Sequence, residues 1–415
     1  LGEIMDELEA DEALVLYKVL DSDRASEVLM HLEEDSRVDF LAQLTPKEIA
    51  EQFIDNLDSD DAADMLSQLP SEQKDEVIAL IEDRQQARDI VDLLHYEEGT
   101  AGALMAKELI RVNVNWTVST AVKEMRKQAE QIEHVYTVYV VDDEDILVGR
   151  LQVKKLLLTP VRARISDIYD TTIRSVLVDE DQEEIASIMQ KYDLVALPVV
   201  DELGRLLGRI TIDDIVDVIK EVAERDYALA SGISGSVEST DSVYVLTRAR
   251  LPWLLIGLLG GILGARVIEL YEGDLQLYPE MAFFIPLIAA MGGNAGVQSS
   301  AIIVQGLANK SMGLSGITSK LGKEFSVALV NGLVCSGLIF GYNMIFSDSM
   351  GLSITVSLAL FSVIVIATLF GTLVPLILDK YEIDPALATG PFITTVNDVL
   401  GLFIYFLIGH LLYIG

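Results

Sequence analysis

Cysteine is almost missing from this chain, and the single Cys335 excludes an intrachain disulfide framework and a cysteine metal cluster. Histidine is scarce too. His31, His95, His134 and His410 are scattered without ligand spacing and read as structural or surface groups. Basic side chains are few against acidic ones, 30 Lys and Arg to 65 Asp and Glu, for a net charge of −35. Phosphate neutralisation needs the opposite sign, so no nucleic-acid partner is expected. No nucleophile–base set, phosphate loop or zinc spacing occurs, which argues against an enzyme. No cleavable signal peptide is expected either, because the chain opens on the charged segment Leu1–Ala10.

What is present is divided sharply. Residues 1–248 hold 55 acidic and 24 basic side chains, a net of −31, whereas residues 249–415 hold 10 and 6, a net of −4. The first part reads as a soluble region that repels itself until cations screen it. The second reads as five spans near Leu251–Leu270, Met281–Ala308, Phe325–Phe346, Ser353–Leu378 and Pro385–Ile414. Each has the roughly 20 residues that a ~30 Å hydrocarbon core demands. Arg248 and Arg250 precede the first span, and Lys310, Lys320 and Lys323 lie between the second and third. Glu269, Glu272, Asp274 and Glu280 fill the first connection, and only Asp348 charges the third. The positive-inside bias then places residues 1–248 in the cytoplasm of a multi-pass protein of the cell membrane, with the C-terminus outside.

Asp398 is the one acidic side chain expected deep inside an apolar span, with Asn397 beside it. An ionised carboxylate there costs at least a few kcal/mol, so it persists where it faces water, a cation or a partner. The second span carries a related polar run, Met291-Gly292-Gly293-Asn294-Ala295-Gly296-Val297-Gln298-Ser299-Ser300. Glycines and amides at membrane depth are tolerated where helices pack closely or line a wet cavity. In the fifth span Gly390-Pro391 is expected to loosen the helix and free a carbonyl for hydrated ions.

The cytoplasmic part reads in sections. Residues 1–98 form an acidic helical domain. Its capping phrases are Ser22-Asp23, Thr45-Pro46, Asp58-Ser59-Asp60 and Pro70-Ser71. Leu44-Thr45-Pro46-Lys47-Glu48 resembles Leu69-Pro70-Ser71-Glu72-Gln73, 25 residues on, which suggests stacked short helices in a superhelix. A duplication follows at an offset of 59: Tyr139-Val140-Val141-Asp142 through Leu151 aligns with Pro198-Val199-Val200-Asp201 through Ile210. Each copy predicts a helix (Val118–Ala129; Glu183–Lys191), a buried strand, a turn, a strand and a helix. This unit resembles the CBS module, with copies at 99–160 and 161–222, and the resemblance implies regulation. CBS pairs often hold adenine nucleotides through Thr/Ser-x-x-Asp. Thr211-Ile212-Asp213-Asp214 offers Asp214 for a ribose, which would make ATP a regulatory ligand, while Gln152-Val153-Lys154-Lys155 lacks the acid, and a structural role for the pair stands beside that reading. Residues 223–248 then supply a connecting helix within Lys220–Ala230 and a Gly/Ser-rich linker, Ser231–Ser242.

The order of parts, with G-G-N-x-G-x-Q-S and N-D-V-x-G phrases in the membrane region at 249–415, resembles the MgtE family of magnesium channels. The resemblance implies a multidomain fold: an all-α superhelical N-domain, α/β tandem CBS domains, a connecting helix and a five-span α-helical pore domain. It also implies a homodimer in the lipid bilayer that passes Mg²⁺ and is closed by cytosolic Mg²⁺. The ion pathway carries over to Asp398, with Asn294, Gly293, Gly390 and Gly401 lining it. Regulatory metal ligands carry over to Asp60, Asp64, Glu183, Asp193, Asp214, Asp217, Asp226 and Asp384. Val297, Asn397, Val222 and Arg225 depart from residues that relatives carry.

The physics suits the ion, because Mg²⁺ takes octahedral oxygen ligands and sheds water reluctantly. Facing carboxylates favour a divalent occupant, a monovalent ion gaining about half the attraction at equal distance. Two other readings stand: a secondary carrier coupled to Na⁺ or H⁺ through Asp398, and a membrane-anchored sensor that transports nothing.

Overall fold

The structure, a computed structural model, describes residues 19–20, 22–30, 32, 34–129, 132, 135–235, 237, 241–308, 317–347, 349–381 and 383–414. Leu1–Ala10, His31, His134, Lys310 and Asp348 lie outside the described residues. The chain divides into two compact units, Leu1–Glu221 and Val222–Gly415.

Among its described residues the first unit opens with six short helices: α1 (Ser22–Met30), α2 (Glu34–Leu41), α3 (Pro46–Gln52), α4 (Ser59–Ser67), α5 (Ser71–Leu80) and α6 (Arg84–Leu93). Thr45 and Glu48 cap α3 reciprocally: the Thr45 amide donates to Glu48 Oε2 at 2.9 Å and the Glu48 amide to Thr45 Oγ1 at 3.3 Å. The second phrase starts α5 at Ser71 without a side-chain cap, Pro70 having no hydroxyl to offer. Helices pack on their next-but-one neighbours, α3 on α5 and α4 on α6. Phe40, Leu41, Ile49, Phe53, Ile54, Met65, Leu66 and Ile90 fill the space between them.

After α7 (Ala101–Leu104) the duplication takes shape as β1 (Ile110–Asn113), α8 (Val118–Gln128), β2 (Val138–Val141), β3 (Leu147–Leu151) and α9 (Val153–Leu158). The second copy is β4 (Val176–Leu177), α10 (Gln182–Tyr192), β5 (Ala196–Val200), β6 (Leu206–Thr211) and α11 (Ile212–Ala230). In each sheet the first strand runs parallel to the second and the second antiparallel to the third. Both copies slip register at the same place, Val140/Val141 and Val199/Val200. The repeated aspartate explains the repeated phrase. Asp142 Oδ1 accepts from the amides of Glu144 and Ile146, and Asp201 Oδ1 from those of Leu203 and Arg205. The left-handed turn position is Gly204 (φ 82°) in one copy and Asp145 (φ 62°) in the other. The two turns interlock, Leu147 donating to the Gly204 carbonyl and Leu206 to that of Asp145.

The connecting segment is not a separate helix. α11 runs unbroken from Ile212 to Ala230, because apolar periodicity continues across the proposed boundary with no Gly or Pro to stop it.

Among its described residues the second unit holds five helices long and apolar enough to cross a membrane. They are α12 (Val243–Leu270), α14 (Ile285–Ala308), α15 (Ile317–Phe346), α16 (Met350–Lys380) and α17 (Gly390–Gly409), with α13 (Glu272–Leu277) in the first connection. α12 starts two turns before its apolar run, at the cap offered by Ser242. The overlong second span resolves into a 3₁₀ turn, Pro279–Phe284, followed by α14. α16 is central, packing on α14, α15 and α17. Its Leu352, Val356, Ala359, Leu360, Val363 and Ile364 form the core with Ile288, Tyr405 and Phe406. Tyr405 satisfies its buried hydroxyl by donating to the Met281 carbonyl at 2.8 Å.

The expected loosening of the fifth span by Pro391 does not occur. Pro391 sits in the first turn of α17, where its missing amide would have had no helical partner, so it frees no carbonyl. The break lies earlier, between the 3₁₀ turn Pro385–Ala388 and Gly390.

Candidate ion pathway and cytoplasmic acidic cluster

In the first unit, α4 opens on Asp58-Ser59-Asp60-Asp61, and its first turn meets the start of α11. Asp214 Oδ2 there accepts from the Thr211 amide at 3.0 Å and the Thr211 hydroxyl at 2.7 Å. Asp60 is buried, and its Oδ1 accepts from the Asp61 amide. Burial first, then repulsion from Asp214, Asp61 and Asp58, holds its carboxyl well above the usual range. Burial with Asp214, Asp64, Asp58 and Asp213 nearby pushes Asp61 up to about 7. Burial lifts Asp64 to about 6, Arg37 opposing and Asp214 and Glu98 assisting. Asp64 keeps an exposed face, so solvent screens it and Asp60 feels the repulsion most. Asp214 is raised by burial against the Thr211 hydrogen bonds.

Single oxygens of Asp58, Asp60 and Glu108 lie within 4.8 Å of one another. Glu108 Oε2 accepts from the Ser59 hydroxyl at 2.7 Å, and Arg209 Nη2 lies 3.6 Å from Asp58. An array of oxygens whose ionised forms repel one another is the chemistry that a hard divalent cation neutralises. Asp60, Asp64 and Asp214 are therefore brought together. Asp58, Asp61 and Glu108 join them unforeseen; Asp58 stood in the quoted capping phrase and Asp61 directly follows it, while Glu108, in a loop before β1, carried no signal.

The other predicted ligands are dispersed. Glu183 and Asp193 are exposed at opposite ends of α10, roughly 15 Å apart at 1.5 Å per residue, so they cannot share one ion. Asp217 is exposed one turn beyond Asp214. Asp226 is half-buried with Arg225 Nη2 at 3.9 Å. Asp384 caps the 3₁₀ turn, accepting from the Ala386 amide at 2.8 Å.

In the second unit, Asp398 lies midway along α17 and its Oδ1 is buried without a hydrogen-bond partner among the described residues. The amide oxygen and nitrogen of neighbouring Asn397, 1% exposed, share that condition. Leaving such a group unpaired costs about 1–3 kcal/mol. The glycines of α14 make this crowding possible: a Cβ at Gly293 would stand 3.0 Å from Asp398 Oδ1, and one at Gly296 would overlap Asn397 Nδ2. Gly401 admits Val363, whose Cγ1 would lie 3.3 Å from an added Cβ. Asn294 and Gln298, one turn apart, are exposed on the adjoining face of α14 and do not meet Asp398 within the chain. Gly390 has φ +52° and lies against the Ala230 carbonyl, where a Cβ would overlap. The end of α11 is thus seated on the head of α17.

Sequence reasoning missed Glu324. It is buried in α15, just before the span predicted from Phe325, whereas Asp398 as a whole residue is half-buried.

Residues 285–408 match the family described as MgtE, divalent cation transporter. Residues 1–99 match the MgtE intracellular N domain, and 101–158 and 165–221 the CBS domain. The magnesium transporter MgtE of Thermus thermophilus is 33% identical over 432 aligned positions, covering 99% of this chain and 95% of that protein. This chain belongs to the MgtE family. The MgtE magnesium transporter of Bacillus subtilis is 35% identical over 76% of the chain and 70% of its own length. That of Enterococcus faecalis is 37% identical over 78% and 71%. Among solved structures, the soluble part of a magnesium transporter is 35% identical (TM-score 0.48), covering 54% of this chain and 87% of that one. The cytosolic domain of the Mg²⁺ channel MgtE in complex with ATP is 32% identical (TM-score 0.39), covering 52% and 93%. Helical N-domain, CBS pair and five apolar helices are thus the MgtE architecture in this chain.

Proposed function

We propose that this MgtE-family protein is a Mg²⁺-selective channel for magnesium uptake, driven by the membrane potential and closed by cytosolic Mg²⁺. The observation that carries the reading is the buried, unpartnered carboxylate oxygen of Asp398 beside Gly293. A hydrated divalent ion satisfies such oxygens through its water shell without surrendering it. Inward movement of Mg²⁺ across 100 mV releases roughly 4.6 kcal/mol, so no second energy source is needed.

The division of labour we assign is 1–98 as sensor domain, 99–160 and 161–222 as CBS units, 223–248 as connecting segment and 249–415 as pore domain. Residues 1–248 lie in the cytoplasm and the C-terminus outside. The protein acts as a homodimer in which Asp398 meets its counterpart and exposed Asn294 faces the partner. Cytosolic Mg²⁺ binds at Asp60, Asp61, Asp64 and Asp214, with Asp58 and Glu108 at the edge, and secondary ions sit at Glu183, Asp193, Asp217, Asp226 and Asp384. An adenine nucleotide with its ribose on Asp214 would compete with Mg²⁺ for one carboxylate, so nucleotide titration with and without Mg²⁺ separates those two ligands.

Mg²⁺ flux into proteoliposomes under clamped voltage tests the reading. Flux should follow voltage, and Asp398→Ala should abolish Mg²⁺ selectivity. An Asp398→Ala variant as selective as the parent removes the pore assignment, and flux that collapses with a proton or Na⁺ gradient instead of voltage assigns a carrier.

A further inference from the structure

Glu324 is a buried acid that the pathway just described does not use. It lies in the second turn of α15, is 9% exposed, and its Oε2 accepts from the Ser299 hydroxyl of α14 at 2.9 Å. Ser299 Oγ also lies 2.7 Å from Thr372 Oγ1 of α16, which in turn reaches the Thr368 carbonyl at 2.9 Å. The Ser299 hydroxyl donates its one proton to Glu324, so it is oriented from α15. A buried acid is expensive to keep for packing alone.

The next residue works on the other side of the same helix. Ser300, 0% exposed, donates to the Ala388 carbonyl at 2.7 Å. Ala388 closes the 3₁₀ turn; Thr389 and Gly390 follow, and α17 with Asp398 begins there. Adjacent side chains on a helix project about 100° apart, so α14 cannot turn at Ser299 without moving Ser300. Gly293, which meets Asp398, lies on that helix less than two turns earlier.

We propose that Glu324 is a positioning residue for the ion pathway: through Ser299 it holds α14 at the rotation in which Ser300 fastens the head of α17 and Gly293 meets Asp398. The inference rests on the reading of Asp398 given above. Its test uses full-length protein in proteoliposomes, with the ratio of Mg²⁺ to Ca²⁺ influx as readout, since that ratio does not depend on how much protein is folded. Asp398→Asn serves as the reference variant. Glu324→Ala and Ser299→Ala should each lower the ratio about fivefold or more, and the double variant should fall no further, as for two residues acting through one contact. Glu324→Gln should keep the parental ratio, because its amide oxygen still accepts from Ser299. A parental ratio in Glu324→Ala or Ser299→Ala overturns the proposal. So does a Glu324→Gln ratio as low as that of Glu324→Ala, which would give the role to the charge. If Asp398→Asn also keeps the parental ratio, the pathway reading has failed and this inference falls with it; if only Glu324→Ala does, the pathway stands alone.

Discussion

Gly293 of α14 lies against Asp398 of α17, leaving 3.0 Å between the carboxylate Oδ1 and the place a Cβ would occupy. Three turns of close helix contact surround that point. A Cβ at Gly296 would overlap Asn397 Nδ2, and one at Gly371 of α16 would overlap the Gly296 carbonyl. The candidate carboxylate is therefore held by backbone approach, which only residues without side chains permit.

Gly296→Ala should destabilise the membrane unit by about 1–3 kcal/mol, the usual penalty of overpacking. Gly293→Ala should be milder in stability, because its nearest neighbours would stand 3.0 Å from the new Cβ and not overlap it as at Gly296, yet it should reduce Mg²⁺ flux by shifting Asp398. Thermal unfolding in detergent and flux in liposomes measure the two separately; equal effects of both variants on both readouts would contradict this ordering.

Gly390→Ala meets two obstacles, φ +52° and the Ala230 carbonyl. The conformational part alone costs about 1–2 kcal/mol. If α11 transmits the state of the acidic cluster through this seat, inhibition of flux by internal Mg²⁺ should weaken in the variant. Unchanged inhibition would detach Gly390 from regulation.

The acidic cluster should make stability depend on pH with a definite sign. Asp60, Asp61, Asp64 and Asp214 all have carboxyls raised above their unfolded values. Such groups favour the folded state at low pH and lose that contribution as pH rises through the folded pKa. With Asp64 near 6 and Asp61 near 7 against an ordinary carboxyl at 3.8, Mg²⁺-free protein should become progressively easier to proteolyse within residues 1–221 as pH rises from about 4 to about 7. Millimolar Mg²⁺ should slow the cleavage and flatten the pH dependence. Cleavage rates independent of both pH and Mg²⁺ would remove the sensor assignment.

Asp60→Asn probes the same repulsion. In Mg²⁺-free buffer it should raise the melting temperature of the cytoplasmic unit by about 2–4 °C per kcal/mol relieved. The rise produced by added Mg²⁺ should shrink by a comparable amount. A variant that melts lower without Mg²⁺ would mean that Asp60 is stabilised by contacts its amide cannot replace.

Local patterns reported faithfully on local structure. The Thr45–Glu48 cap, the paired Asp142 and Asp201 turns and the five apolar runs follow from neighbours within a few residues; the five helices formed over those runs, with ends up to two turns from where hydropathy put them. Asp398 was legible because an acid among apolar residues stands out against its own segment. Glu324 was not, since Lys320 and Lys323 beside it made the turn look like a solvated helix end. Pro391 misled for a related reason: a proline loosens a helix only when the helix already extends upstream of it.

By itself the chain determined its sections, its duplicated αβ unit and the acid kept in its fifth span, because periodicity, turn chemistry and hydropathy act over short distances along the backbone. Tertiary structure alone decided which charges meet. It set Glu108 and Asp214 beside Asp60, and turned Glu324 inward onto Ser299. Helix packing brings together residues tens to hundreds of positions apart, and no pattern along the chain encodes that register.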